Sequence, residues 1–95
     1  MLPDKIKVGG ITYAIERVDE PMEASDEPAA VFYQQQKIKI KKTLAEEVTE
    51  LYLWHEILHI IFNHIGFYPE NDEELVDRIS KTLYQVLKDN QINWR

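Results

Sequence analysis

An α+β fold, a small sheet of about four short strands packed on a long helix with a second helix behind it, is the class this sequence predicts. Three observations lead there. Short runs in the first half alternate apolar and polar residues between turn-forming clusters, the pattern of half-buried strands. Two stretches in the second half, 43–65 and 72–90, carry their apolar residues at helical spacing. The chain has 95 residues, enough for a single domain over 1–95 and too few for two.

Residues 6–8 and 11–15 alternate around Gly9-Gly10, which reads as a hairpin whose glycines accept the positive φ of a tight turn. Nothing downstream resembles a phosphate loop. Residues 19–28 hold five acids and two prolines and read as a solvated connection. A sharper alternative lays this loop over a cleft, with Asp26 or Glu27 approaching a metal. Residues 30–33 and 37–41 follow as two more strands around a glutamine-rich turn. Lysines 37, 39 and 41 alternate with Ile38 and Ile40, so they share a strand face that is solvated or serves as a charged edge. If the Ile38-Ile40 strand is an edge beside the helix, it can pair with an extended peptide by β-augmentation.

Thr43-Leu44-Ala45-Glu46 has the form of a capping box and starts the long helix. It runs to about Ile65, where Gly66 supplies a left-handed stop. Beyond Leu53 the helix is apolar nearly all round, so it should be covered by the sheet on one flank and by the last helix on the other. Asn71 is the expected N-cap of that last helix, with Glu74 as its reciprocal partner. Its buried face should hold Leu75, Val76, Ile79, Leu83, Val86 and Leu87. Trp94 reads as a packing anchor or a frayed end.

Inside the long helix sits His55-Glu56-Ile57-Leu58-His59. Residues four apart lie on one face about 6 Å along the axis, so two imidazoles can meet one ion. Glu56 points about 100° away, placed to take a proton from water rather than to share the coordination. Both histidines fall on the apolar stripe with Leu51, Leu58 and Phe62. Buried imidazoles beside an acid are costly unless hydrogen-bonded or metallated, and a pair of satisfied core histidines is the rival explanation. His64 lies about 180° from His55 and cannot share its ion.

A catalytic zinc takes three protein ligands and a water. Glu70, Asp72, Glu73, Glu74 and Asp77 are the acids within reach. Glu73 is nearest the buried side of the last helix and is the preferred third ligand, while Glu74 is better explained as a cap. Asp77, one turn on, suits a carboxylate that orients a histidine through its other N–H. A tight hairpin through Gly66 would instead bring Asp77 nearer the ion, which keeps it as an alternative ligand. Tyr84 shares that face and is the first candidate donor to an oxyanion, ahead of Tyr33 and Tyr52, although a core role explains it as well.

The net charge of −6 argues against nucleic acid as a partner. Cysteine is absent, which excludes thiolate metal sites and fits the cytoplasm. No run is long enough to span a membrane.

His55-Glu56-Xaa-Xaa-His59 followed by Glu73-Xaa3-Asp77 resembles the gluzincin metallopeptidases. The wider pattern, Leu53-Trp54 before the motif, Gly66, Glu73-Glu74-Leu75-Val76 and 83–90, is similar to small HExxH zinc-peptidase-like proteins of phages and prophages, relatives of the ImmA/IrrE-type peptidases. The match spans about residues 30–90. It implies a minimal zincin-like fold and zinc-dependent hydrolysis of a peptide or protein substrate. His55, His59 and Glu73 match ligand positions, and Glu56 matches the general base. The chain departs from larger members in its short His59-to-Glu73 spacing, and it lacks a separate substrate domain and a helix-turn-helix reader. A non-catalytic, zinc-stabilised interaction or regulatory protein of phage or prophage origin is the alternative from another class, and a metal-free adaptor a third. Zinc suits two nitrogens, one oxygen and an open position, but iron, cobalt or manganese would also fit.

Overall fold

Residues Lys5–Val8 (β1) and Ile11–Val18 (β2) close a two-residue hairpin in which Gly9 and Gly10 take φ of 59° and 82°. Two successive positive φ values define the turn whose twist matches paired strands. A Cβ at Gly9 would overlap the imidazole of His64, so this glycine also lets the hairpin lie against the far end of the first helix. The computed structural model describes residues 2–92; Trp94 lies outside the described residues.

The chain then passes through 19–28 into β3 (Ala29–Phe32), turns, and returns as β4 (Lys37–Lys41). Strand order is β1-β2-β4-β3, with β2 and β4 parallel and the other two pairs antiparallel. The result is a four-stranded mixed sheet. Pairings Ile6↔Tyr13, Ile15↔Ile38 and Val31↔Ile38 gather the apolar residues on one face. Lys5, Lys7, Lys37, Lys39 and Lys41 share the opposite face, where Lys37 pairs with Glu16 at 3.2 Å and Lys39 lies over the Phe32 ring.

An edge position for the Ile38-Ile40 strand is overturned. It is flanked on both sides, and both isoleucines are fully buried. The physical reason is burial: the strand with two large β-branched residues takes the inner place, and Ala29-Ala30 of β3 is left at the rim. The edge strands are β1 and β3, and both contact α1.

Helix α1 (Glu46–Ile65) lays Leu53, Ile57 and Ile60 on the apolar sheet face. Its start corrects the capping-box expectation, since the N-cap is Ala45 and no side chain caps it. Thr43 is held instead in a turn tied to β2. Lys42 N–H donates to Val18 O (2.8 Å), and Arg17 Nη2 donates to the carbonyls of Lys42 and Leu44. Those non-local bonds delay the helix by two residues, from an N-cap at Thr43 to one at Ala45. Its end falls at Gly66 in the left-handed conformation (φ 72°), as the sequence predicts.

Helix α2 (Asp72–Asp89) packs on α1 and on no described strand. Asn71 sits at its N-cap without a side-chain cap bond, and Glu74 pairs with Arg78 (3.0 Å) rather than reaching back. Val76 and Ser80 are fully buried, and Leu75, Leu83 and Leu87 partly so. Ile79 and Val86, expected on the buried face, are exposed because one neighbour covers only a narrow stripe. Among the described residues no helix is long and apolar enough to cross a membrane.

Candidate metal centre

Helical spacing sets the first half of the site. His55 and His59 stand one turn apart on α1, their ring centroids 4.9 Å apart and their Nε2 atoms 3.2 Å apart. The first turn of α2 completes it. Glu73 Oε1 lies 2.7 Å from His55 Nε2, and Glu73 Oε2 lies 3.1 Å from His59 Nε2.

What lets Glu73 arrive is the loop between the helices. After Gly66, Phe67 N–H donates to Phe62 O (2.9 Å), and the two rings meet edge to face at 5.2 Å. Tyr68 reaches back to Asn63 O. This fold-back displaces the start of α2 along α1 relative to a tight hairpin, so Glu73 rather than Asp77 stands over the histidines.

These donors fit a metal ion. Bonds of about 2.0–2.1 Å to a tetrahedral centre put ligand atoms roughly 3.3 Å apart, close to the spacings seen. Hydrogen bonding alone fits worse. If both Nε2 atoms carry protons toward Glu73, two N–H groups face each other at 3.2 Å. If one is deprotonated, its lone pair faces the carboxylate. A cation removes either conflict, so His55, His59 and Glu73 form a group that could hold one. Burial tends to raise the pKa of Glu73, but hydrogen bonds and charge from the two histidines outweigh it and hold the carboxyl below its usual range. That keeps it anionic, as a ligand must be.

The remaining candidates lie elsewhere. Asp77 pairs with Lys81 at 2.9 Å, and that contact holds its carboxyl below the usual range, with a smaller contribution from His55. It makes no hydrogen bond to a histidine among the described residues. Asp72 is the carboxylate facing His59 Nδ1, at 4.0 Å, beyond direct hydrogen bonding. Glu74 is turned to Arg78, and His64 to the β1–β2 turn.

Glu56 is 7 % exposed and makes no side-chain hydrogen bond among the described residues, yet it borders the cleft. Burial pushes its pKa up to about 7. The charge of His59 opposes this, and Glu73 and Glu27 add to it. An acid so poised exchanges protons near neutrality.

The cleft encloses about 570 Å3 between the triad and the β3 edge. Ala29, Ala30 and Val31 form one wall, Tyr33 and Tyr52 another, and Met22 and Glu27 come from the 19–28 loop. Sequence reasoning ranked the tyrosines differently. Tyr84 is off the cleft, beside Lys88, whereas Tyr33 lies in it with its hydroxyl pKa raised, first by burial and then by the charges of Tyr13 and Glu56. Only the position of β3 reveals Tyr33; no local spacing signals it.

Comparison with family models, curated proteins and solved structures gives no match. The functional reading therefore rests on the motif and its geometry.

Proposed function

We propose that this protein is a zinc-dependent metallopeptidase-like hydrolase of the gluzincin type, similar to the small phage and prophage relatives of the ImmA/IrrE peptidases. One observation carries the reading: Glu56, largely buried and without a side-chain hydrogen bond among the described residues, stands beside two histidines and a glutamate whose donor atoms converge at metal-ligand spacing, in an open cleft. His55, His59 and Glu73 would hold the zinc. When bound, zinc supplies Lewis acidity that polarises a carbonyl and lowers the pKa of water toward about 7.

The chain's own groups supply the rest. Glu56 takes a proton from the attacking water and passes it to the leaving amine as the C–N bond breaks and the C–O bond forms. Tyr33 and Tyr52 bring hydroxyl donors to the cleft wall, where they can stabilise developing negative charge. The free edge of β3 offers backbone groups to an extended peptide, the recognition mode first considered for the Ile38-Ile40 strand. Glu56→Gln is expected to retain one zinc per chain and lose peptide hydrolysis; unchanged turnover would refute this mechanism.

A second reading, a zinc-stabilised interaction protein, is favoured by the thin contact of α2, which fully buries only Val76 and Ser80. There Glu73 would act as a strap between the helices. Chelation separates the two. A strap predicts a large fall in Tm, and a catalytic site predicts lost hydrolysis with little unfolding.

A further inference from the structure

Charge within the cleft is not balanced, and Glu27 is where the imbalance sits. A divalent ion on the triad would offset the carboxylates of Glu73 and Glu56. Glu27 then remains, and no lysine or arginine lines the cleft among the described residues. Of the other acids in the same loop, Asp19 pairs with Lys42 at 3.1 Å and Glu20 accepts from Ala24 N–H at 3.1 Å, while Glu23 and Asp26 do not line the cleft. Glu27 has its own backbone anchored, its N–H donating to Ser25 Oγ (3.1 Å), while its carboxylate has no partner among the described residues. Glu27 and Glu56 both line the cleft, so the two carboxylates act on the same space.

The surroundings of Glu27 select a shape as well as a charge. Met22, Val31 and Tyr33 add apolar and aromatic surface to the same cleft. A side chain with a long aliphatic stem and a cationic end satisfies both, burying the stem while the head meets the carboxylate. Glu27 also lies two residues before β3, so a peptide paired to that edge passes it.

We propose that Glu27 is a specificity-determining residue that selects substrates carrying lysine or arginine near the scissile bond. The proposal rests on the peptidase reading above and names its substrate class. Glu27 acts by recognition and takes no part in the proton transfers.

The test uses the zinc-loaded full chain and a positional library of blocked peptides in which one residue is lysine, norleucine or glutamate. Norleucine keeps most of the stem and lacks the ammonium. Cleavage of lysine peptides is expected to exceed that of norleucine peptides by about tenfold, with glutamate peptides slower still. In Glu27→Gln the lysine-to-norleucine ratio should fall to about one, and Glu27→Lys should favour glutamate. A ratio that stays high in Glu27→Gln, or is already near one in the native chain, overturns the assignment while leaving the peptidase reading intact. If zinc binds but nothing is cleaved, the peptidase reading fails. Binding of the same peptides to the zinc-loaded Glu56→Gln chain then judges Glu27 separately: a tenfold lysine preference lost in the Glu27→Gln double variant supports it as a recognition residue, and equal or absent binding overturns it.

Discussion

The two helices contribute to one site but are held in different ways. Helix α1 is enclosed by the sheet on one flank and α2 on another, and it buries six of its residues; α2 leans on α1 alone and buries two. His55 and His59 belong to the enclosed element, so their mutual geometry is set by helical rise and survives small rearrangements. Glu73 stands in the first turn of the lightly held element and reaches its partners only because the 66–71 loop folds back. A metal site built this way would have two fixed ligands and one conditional ligand.

The largest expected effect tests that asymmetry directly. His55→Ala or His59→Ala should weaken zinc binding by about a hundredfold or more, whereas Glu73→Gln should cost roughly ten- to a hundredfold. Calorimetric titration of the chelator-stripped variants measures both. Equal losses at all three positions would mean that α2 is as firmly placed as α1.

Next comes the buried acid of α1. The pKa of Glu56, about 7 in the folded chain, lies above its ordinary 4.5. Below the lower value both folded and unfolded chains hold the proton, and the site costs nothing. As pH rises from 4.5 to 7 the unfolded chain releases its proton first, so folding stability declines and levels off above 7. Glu56→Gln has no such cost. In chelator it should match the native chain near pH 4 and exceed it at pH 8 by on the order of 3 kcal/mol. Denaturant titrations at several pH values read this gap; a gap independent of pH would remove Glu56 as its source.

Packing gives a smaller difference. Val76→Ala, at the centre of the α1–α2 contact, should cost about 2 kcal/mol and also weaken zinc binding, because Glu73 loses its support. Ile57→Ala should cost somewhat more, roughly 3 kcal/mol, through the sheet contact. Thermal unfolding with and without zinc distinguishes the two. Last, Gly9→Ala should cost about 1–2 kcal/mol, from the left-handed φ and the overlap with His64. Adding His64→Ala should return part of that, measured as a rise in Tm over Gly9→Ala alone.

Legibility in the sequence follows the range of the forces involved. The α+β class, the hairpin at Gly9-Gly10 and the stop at Gly66 depend on neighbours in the chain, and they were readable. The start of α1 was not, because Arg17 and Val18 pin the turn around Thr43 from a distant strand. The inner place of Ile38 and Ile40 was hidden too, since alternation identifies a strand but not its neighbours. At the site, the pairing of His55 with His59 is local and was plain. Choosing Glu73 over Asp77 depended on how Phe67 folds over Phe62, and Tyr33 became visible only once β3 was known to border the cleft.

The most direct measurement is an anomalous difference map, recorded at the zinc edge, from crystals of the zinc-loaded protein. The account predicts a single strong peak within about 2.1 Å of His55 Nε2, His59 Nε2 and one oxygen of Glu73. A map with no peak between the two histidines, or with the ion held by other residues, would contradict it.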